Sequence, residues 1–219
     1  MWARSRRARK PSEADLASET AGSEFALPSV VLRAIHRLIE GHAATTGDAL
    51  AVVEGDRTYS YRELNAAANL FARRLMTNGF RRGMRADVQM IPSVDLAVVL
   101  LAILKTGGCY MWRRADAPSF QIPTVDEGSS LLVDDIPVNG VCGGPNLPVI
   151  TRGTDIACVL DGAVGEGSIA VPHATIIAMA SCARARRSPW AGEPGAFDLW
   201  AALLSGATAV VACPRAVAA

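Results

Sequence analysis

No two cysteines in this chain form a C-x-x-C pair. The five present (Cys109, Cys142, Cys158, Cys182, Cys213) are scattered and odd in number. That argues against a disulfide framework or a zinc site and fits a reducing cytoplasm. No apolar run is long enough to cross a bilayer: the longest, Leu96 to Leu104, is bracketed by Asp95 and Lys105. No apolar h-region follows the basic first residues, which run into Pro11-Ser12-Glu13, so no signal peptide is expected. Neither charge sign is in excess. The net charge of +1 sets up no global field favouring nucleic acid or an acidic partner. Repeats at solenoid spacing are absent too.

What is present is ample apolar material: 50% of the residues are hydrophobic and the mean hydropathy is +0.22. Residues 1–27 stand apart, being polar, charged and rich in Ala, Ser and Glu. They read as a disordered tail. Arg4, Arg6, Arg7, Arg9 and Lys10 crowd its start, but no aromatic or amphipathic repeat accompanies them. The cluster therefore reads as a solvated face, with neither nucleic acid nor membrane as partner.

From Pro28 the pattern becomes regular. Val31, Ile35, Leu38 and Ile39 fall on one helical face. Ala49–Val53 and Arg57–Tyr59 read as strands around the turn Glu54-Gly55-Asp56. Ser60 and Glu63 form a capping-box signature, and the helix they open turns Leu64, Ala67, Ala68, Phe71 and Leu75 inward. Asn78-Gly79 stops it. Ala86–Ile91 is a strand candidate. Ser93 caps a second helix that buries Leu96, Val99, Leu100, Ile103 and Leu104, with Lys105 at its C-terminal dipole end and Gly107-Gly108 beyond. Cys109–Trp112 and Leu131–Val133 are further strands, and residues 134–154 read as an irregular linker. Ile156–Leu160 is a strand, Ala174 to Ala183 a helix, Phe197–Leu204 a short helix, and Thr208–Cys213 a last strand. Continuous apolar strands alternating with helices imply an α/β fold of layered βαβ units on a mostly parallel sheet.

One segment carries a contradiction. After the strand Ile156–Leu160 come Asp161-Gly162-Ala163-Val164-Gly165-Glu166-Gly167-Ser168 and then Ile169-Ala170-Val171-Pro172-His173. Strand, glycine loop and helix start make the layout of a phosphate cradle, where backbone N–H groups attract anions. Yet this loop has no Lys, Arg or Thr. Its one hydroxyl is Ser168, and it carries two acids. Gly162, Gly165, Gly167 and Ser168 are the candidate phosphate contacts; a tight turn alone would also explain the glycines.

Asp56-Arg57-Thr58-Tyr59-Ser60-Tyr61-Arg62-Glu63-Leu64-Asn65, with Ala68 to Leu75 after it, resembles the opening motif of the adenylate-forming (AMP-binding) enzymes. The likeness is strongest to the amino-acid adenylation domains of nonribosomal peptide synthetases. Leu101 to Tyr110 is similar to the second motif of that family. Val171-Pro172-His173 is similar to the segment after its phosphate loop, and Phe197 to Thr208 to a later helix and strand. The resemblance implies residues 28–213 as a partial N-terminal subdomain of the adenylate-forming fold, with tails at 1–27 and 214–219. It implies descent from enzymes that use ATP and Mg²⁺ to activate an amino acid. It also implies His173 and Asp198 as candidate substrate contacts, and peptide-synthetase components as partners.

The departures from the family pattern are as informative. Its phosphate loop reads roughly T-S-G-S-T-G-x-P-K-G, and here the hydroxyls and the lysine are missing. An acid about 4 Å from a phosphate charge costs on the order of 4 kcal/mol at an effective dielectric of 20. An F-D-x-S stretch should precede Phe197, where Ser188 to Gly195 stands instead. The expectation is therefore a truncated, inactive adenylation-domain homologue in the cytoplasm, with no cofactor and no catalytic or metal-ligating residue. The alternatives are a non-catalytic scaffold in a synthetase assembly, or a decayed gene product.

Overall fold

The computed structural model describes residues 33–113, 119–121, 144–148, 151–160, 167–182 and 196–212. The expected tails and the strand expected at 131–133 lie outside these. The elements run in this order: α1 (Ile35–Thr45), β1 (Leu50–Glu54), β2 (Arg57–Ser60), α2 (Tyr61–Thr77), β3 (Arg85–Gln89), α3 (Val94–Lys105), β4 (Cys109–Arg113), β5 (Ser119–Gln121), β6 (Ile156–Leu160), β7 (Ile169–Pro172), α4 (His173–Cys182), α5 (Phe197–Leu204) and β8 (Ala209–Val210).

Local chemistry explains the best-defined elements. At the start of α2 the Ser60 hydroxyl accepts from Glu63 N at 3.3 Å, and the Glu63 carboxylate accepts from Ser60 N at 2.8 Å. This reciprocal box satisfies donors that a helix N-terminus otherwise leaves open. Past Asn78, Gly79 takes φ 91°, the left-handed turn that glycine enters without a Cβ penalty. The chain then doubles back so that Phe80 N bonds Leu75 O at 2.9 Å, and the Phe80 ring enters the core. Ser93 caps α3 by accepting from Leu96 N at 3.1 Å.

Apart from Asp95, every residue of α3 is buried. The reason is its position, because α3 packs on α1 and α2 and touches both sheets, β4 of one and β1 and β2 of the other. An all-round apolar helix belongs in such a place. Gly108, just beyond, is a glycine by necessity. A Cβ there would run into the Phe80 ring and would sit 2.9 Å from Met84 O.

The larger sheet has the order β5-β3-β4-β6-β7. Its middle is parallel, with β3 beside β4 from Arg85↔Cys109 to Gln89↔Arg113, and β4 beside β6 at Tyr110↔Cys158. Its outer strands, β5 and β7, run antiparallel to their neighbours. The smaller sheet, β2-β1-β8, joins an antiparallel hairpin to a parallel strand. The architecture is mixed α/β with parallel elements.

Three details differ from the sequence pattern. Residues 169–172 form a strand rather than a lead into the helix, because Ile169-Ala170-Val171 pairs back on β6. The final strand is only Ala209–Val210, matched to Val52 and Val53. Strand β3 ends at Gln89, and Ile91 beyond it is 39% exposed.

Candidate functional site

The glycine segment is the connection of a β hairpin, β6 to β7, in register Val159↔Ala170 and Leu160↔Ile169. Gly162 and Gly165 lie outside the described residues. Gly167 and Ser168 are exposed at the mouth of the hairpin. A Cβ on Gly167 would meet nothing within 4 Å, and Gly167 is not among the glycines at positive φ. Neither steric approach nor backbone conformation requires glycine there.

The helix N-terminus lies at the other end of the hairpin. His173 N bonds Asp155 O at 3.0 Å and Ala174 N bonds Gly153 O at 2.8 Å. The first donors of α4 are therefore taken by the turn that enters β6. A five-residue strand separates that turn from the glycine loop, roughly 15 Å at about 3.3 Å per residue. This corrects the strand–loop–helix layout read from the sequence: a second strand, β7, intervenes between the glycine segment and the helix.

The two candidate substrate contacts sit apart. The His173 ring is fully buried, and its Nδ1 accepts from Ile35 N at 3.2 Å. Ile35 opens α1, whose N-cap Ala34 offers no side-chain bond, so His173 caps a helix distant in sequence. Its ring stands edge-on to the buried His36, with centroids 6.1 Å apart. Burial pushes the His173 pKa down to about 4, against a smaller opposing pull from Asp155. The His36 pKa also lies well below its ordinary value, first through burial and then through His173, Lys105 and Arg37. Asp198 lies half-buried in the first turn of α5, where a carboxylate interacts favourably with the helix dipole.

Asp155 is committed as well. Its Oδ2 accepts from Arg82 at 2.9 Å and from Arg152 N at 3.1 Å. Burial raises its pKa, but the bonds from Arg152 N and Arg82 outweigh that and hold it below the usual carboxylate range.

The most tightly built polar cluster was not apparent in the sequence. Lys105 is buried, and its Nζ donates to Glu40 Oε1 at 2.6 Å. Its pKa falls to about 8, lowered by burial and partly restored by Glu40. Asn146 Oδ1 accepts from Asn65 and Asn69 at 3.0 Å each and faces Lys105 Nζ at 3.4 Å. Asn69 also donates to Gly144 O, Arg73 donates to Pro145 O, and Leu147 is buried. The segment 144–148 is thus fastened across α2 and α3. One signal was available: Lys105 follows Leu101 by one helical turn on a helix with no polar face to receive it.

The Cys109 and Cys158 thiols are buried. Burial raises both pKa values, that of Cys158 to about 12 despite a hydrogen bond with Tyr110. Among the described residues no group of three His, Cys, Asp or Glu could hold a metal ion. No described helix is long and apolar enough to cross a membrane.

Comparison with known proteins agrees with this architecture. Residues 39–133 match the family model "AMP-binding enzyme". Bacitracin synthase 1 of Bacillus licheniformis is 29% identical over 210 residues, covering 81% of this chain and 4% of the synthase. Malpibaldin synthetase of Mortierella alpina is 38% identical over 101 residues, covering 45% of this chain and 2% of the synthetase. The chain therefore spans a small fraction of the curated relatives it matches. Among solved structures, the N-terminal subdomain of Klebsiella oxytoca NpsA, bound to 3-hydroxyanthranilyl-AMSN, aligns with a TM-score of 0.63 at 20% identity. It covers 84% of this chain and 54% of that one. An AMPPNP-bound form of the nonribosomal peptide synthetase FmoA3 aligns with a TM-score of 0.69 at 23% identity, covering 93% of this chain and 25% of that one. At such identity these two likenesses speak to fold alone.

Residues 39–133 thus carry an AMP-binding match, and the fold is that of the N-terminal subdomain of adenylate-forming enzymes. More particularly, the chain is a homologue of nonribosomal peptide synthetase adenylation domains and corresponds to their N-terminal part.

Proposed function

We propose that the chain keeps the scaffold of an amino-acid-adenylation domain without competent ATP chemistry of its own. The observation that carries this reading is the content of residues 161–168, with two acids, one hydroxyl and no Lys, Arg or Thr. Nucleotidyl transfer depends on positioning the phosphates and neutralising their charge. Here that task would fall to backbone N–H groups and Ser168, against Asp161 and Glu166. Two further features support the reading. Gly167 faces open space rather than a close approach, and the first N–H groups of α4 are engaged by residues 153 and 155. The side chains of residues 161–168 do not fit a triphosphate with its Mg²⁺. On this reading the partners are peptide-synthetase components in the cytoplasm, and the role is that of a non-catalytic relative.

Isothermal titration with ATP–Mg²⁺ and pyrophosphate exchange driven by each proteinogenic amino acid test this. The expected result is no binding heat and no exchange above a protein-free control. Robust amino-acid-dependent exchange would overturn the reading.

A further inference from the structure

Two imidazoles meet where α1 lies against α4. His36 stands on the first turn of α1 and His173 opens α4. Both rings are buried, and they lie edge-on with centroids 6.1 Å apart. The Nδ1 lone pair of His173 accepts from Ile35 N at 3.2 Å, so the one proton of this ring sits on Nε2. That Nε2 and the Nδ1 of His36 are buried with no hydrogen-bond partner among the described residues. A proton added to His36 Nδ1 finds no acceptor there. A proton added to His173 must take the nitrogen that holds Ile35 N.

The charges around the pair are already committed. On α1, Glu40 accepts from Arg37 at 2.8 Å and from Lys105 of α3 at 2.6 Å. In the turn before β6, Asp155 accepts from Arg82 and from Arg152 N. His36 lies in the field of His173, Lys105 and Arg37, and His173 in that of Asp155. The other elements packed on α4 add little. β7 has no titratable side chain, β6 has Cys158, and α5 has Asp198 in its first turn. Further along α1, His42 Nε2 donates to Leu204 O and its ring lies beside Tyr61 of α2. A proton on either buried ring therefore adds a cation near Lys105 and Arg37, with both nearby carboxylates already paired.

We propose that the α1–α4 contact is an acid-released latch, in which a proton displaces the Ile35 N–H from the Nδ1 lone pair of His173. Proton and amide compete for one lone pair, so the closed latch and a protonated His173 exclude each other. The N-cap Ala34 offers no side-chain bond in its place. The rest of the core does not share the device. Helices α2 and α3 contain no histidine, and α3 is capped by the Ser93 hydroxyl, which does not titrate. The last elements are held to the first by β8 on β1 and by the Tyr61 hydroxyl, which acid leaves intact. Opening is thus confined to the first turn of α1 and the start of α4. Burial holds the closed-state pKa of His173 at about 4, against 6.5 for a free imidazole, so opening grows as pH falls below 6.5. At about pH 5 the open form gains about 30-fold on the closed form relative to neutral pH. The latch does not depend on whether ATP is bound.

Amide-resolved hydrogen exchange on the full chain, at about pH 7.5 and about pH 5, tests this once each rate is divided by the intrinsic rate at that pH. Protection of Ile35 N should fall at least about 30-fold in acid, while amides inside α3 should change less than about 3-fold. His173→Asn gives Ile35 N an acceptor that does not titrate in this range, and should shrink the fall at Ile35 at least about 10-fold. His42→Gln removes the histidine that lies outside the latch and should leave the fall unchanged. Constant protection at Ile35 overturns the proposal. So does an equal loss throughout α3, which means unfolding of the whole molecule rather than release of a latch. Both of these outcomes are read on the unaltered chain and need no variant. A full response in His173→Asn, or its loss in His42→Gln, also overturns the proposal.

Discussion

Acid should loosen this protein through two histidines before its carboxylates matter. His173 must stay neutral to accept from Ile35 N, and its folded pKa is about 4 against an ordinary 6.5. A depressed folded pKa means that the unfolded chain binds the proton first. The contribution is complete above pH 6.5 and is lost as pH falls toward 4. At about 1.4 kcal/mol per pH unit this amounts to roughly 3 kcal/mol for His173 alone. His36 shifts the same way, so the combined slope approaches about 2.8 kcal/mol per unit where both titrate. Lys105, at about 8, acts in a separate window. Its folded pKa is also depressed, so its contribution is complete above 10.5 and is lost as pH falls through 8, leaving the acid limb untouched. Urea unfolding at pH steps between 7.5 and 4.5 measures the slope. His173→Asn offers an acceptor to Ile35 N without titrating near neutrality, so the slope should fall by about half. An unchanged slope in that variant would refute the assignment. His173→Ala should instead lower stability at pH 7.5, because it removes the cap and leaves a cavity.

Two further outcomes follow from the core. Lys105→Met removes one of two cations from the buried Glu40 carboxylate, leaving Arg37 at 2.8 Å, and should cost about 1–3 kcal/mol; a double-mutant cycle of Lys105→Met with Glu40→Gln, from urea midpoints, checks the coupling. Gly108→Ala forces a Cβ against Phe80 and the Met84 carbonyl, and should cost about 1–3 kcal/mol of stability in the same assay.

What the sequence disclosed was what neighbouring residues decide. The box at Ser60 and Glu63, the stop at Asn78-Gly79 and the cap at Ser93 are all local, and all stand in the structure. So does the α/β alternation, since apolar runs must be covered on both faces. Three other features depend on residues far apart. Whether Ile169 to Pro172 is a strand depends on β6. Whether Lys105 faces solvent depends on Glu40 and Asn146. Whether His173 caps α1 depends on a backbone N–H in a helix 138 residues earlier. The candidate site divides along the same line. The unusual chemistry of residues 161–168 is plain in the sequence, whereas the strand between them and the helix depends on pairing with β6.

The last elements are stitched to the first. Tyr61 OH shares its proton between Leu203 O and Ala207 O, Trp200 donates to Tyr110, and β8 lies along β1. A ribosome releases β1 and β2 long before β8. Until His173 emerges α1 lacks its cap, and until residue 211 follows and its N–H reaches Val53 O the smaller sheet keeps an open side. The protein therefore cannot ripen from its N-terminus forward. It closes late, with a nascent chain that keeps apolar surface open until then.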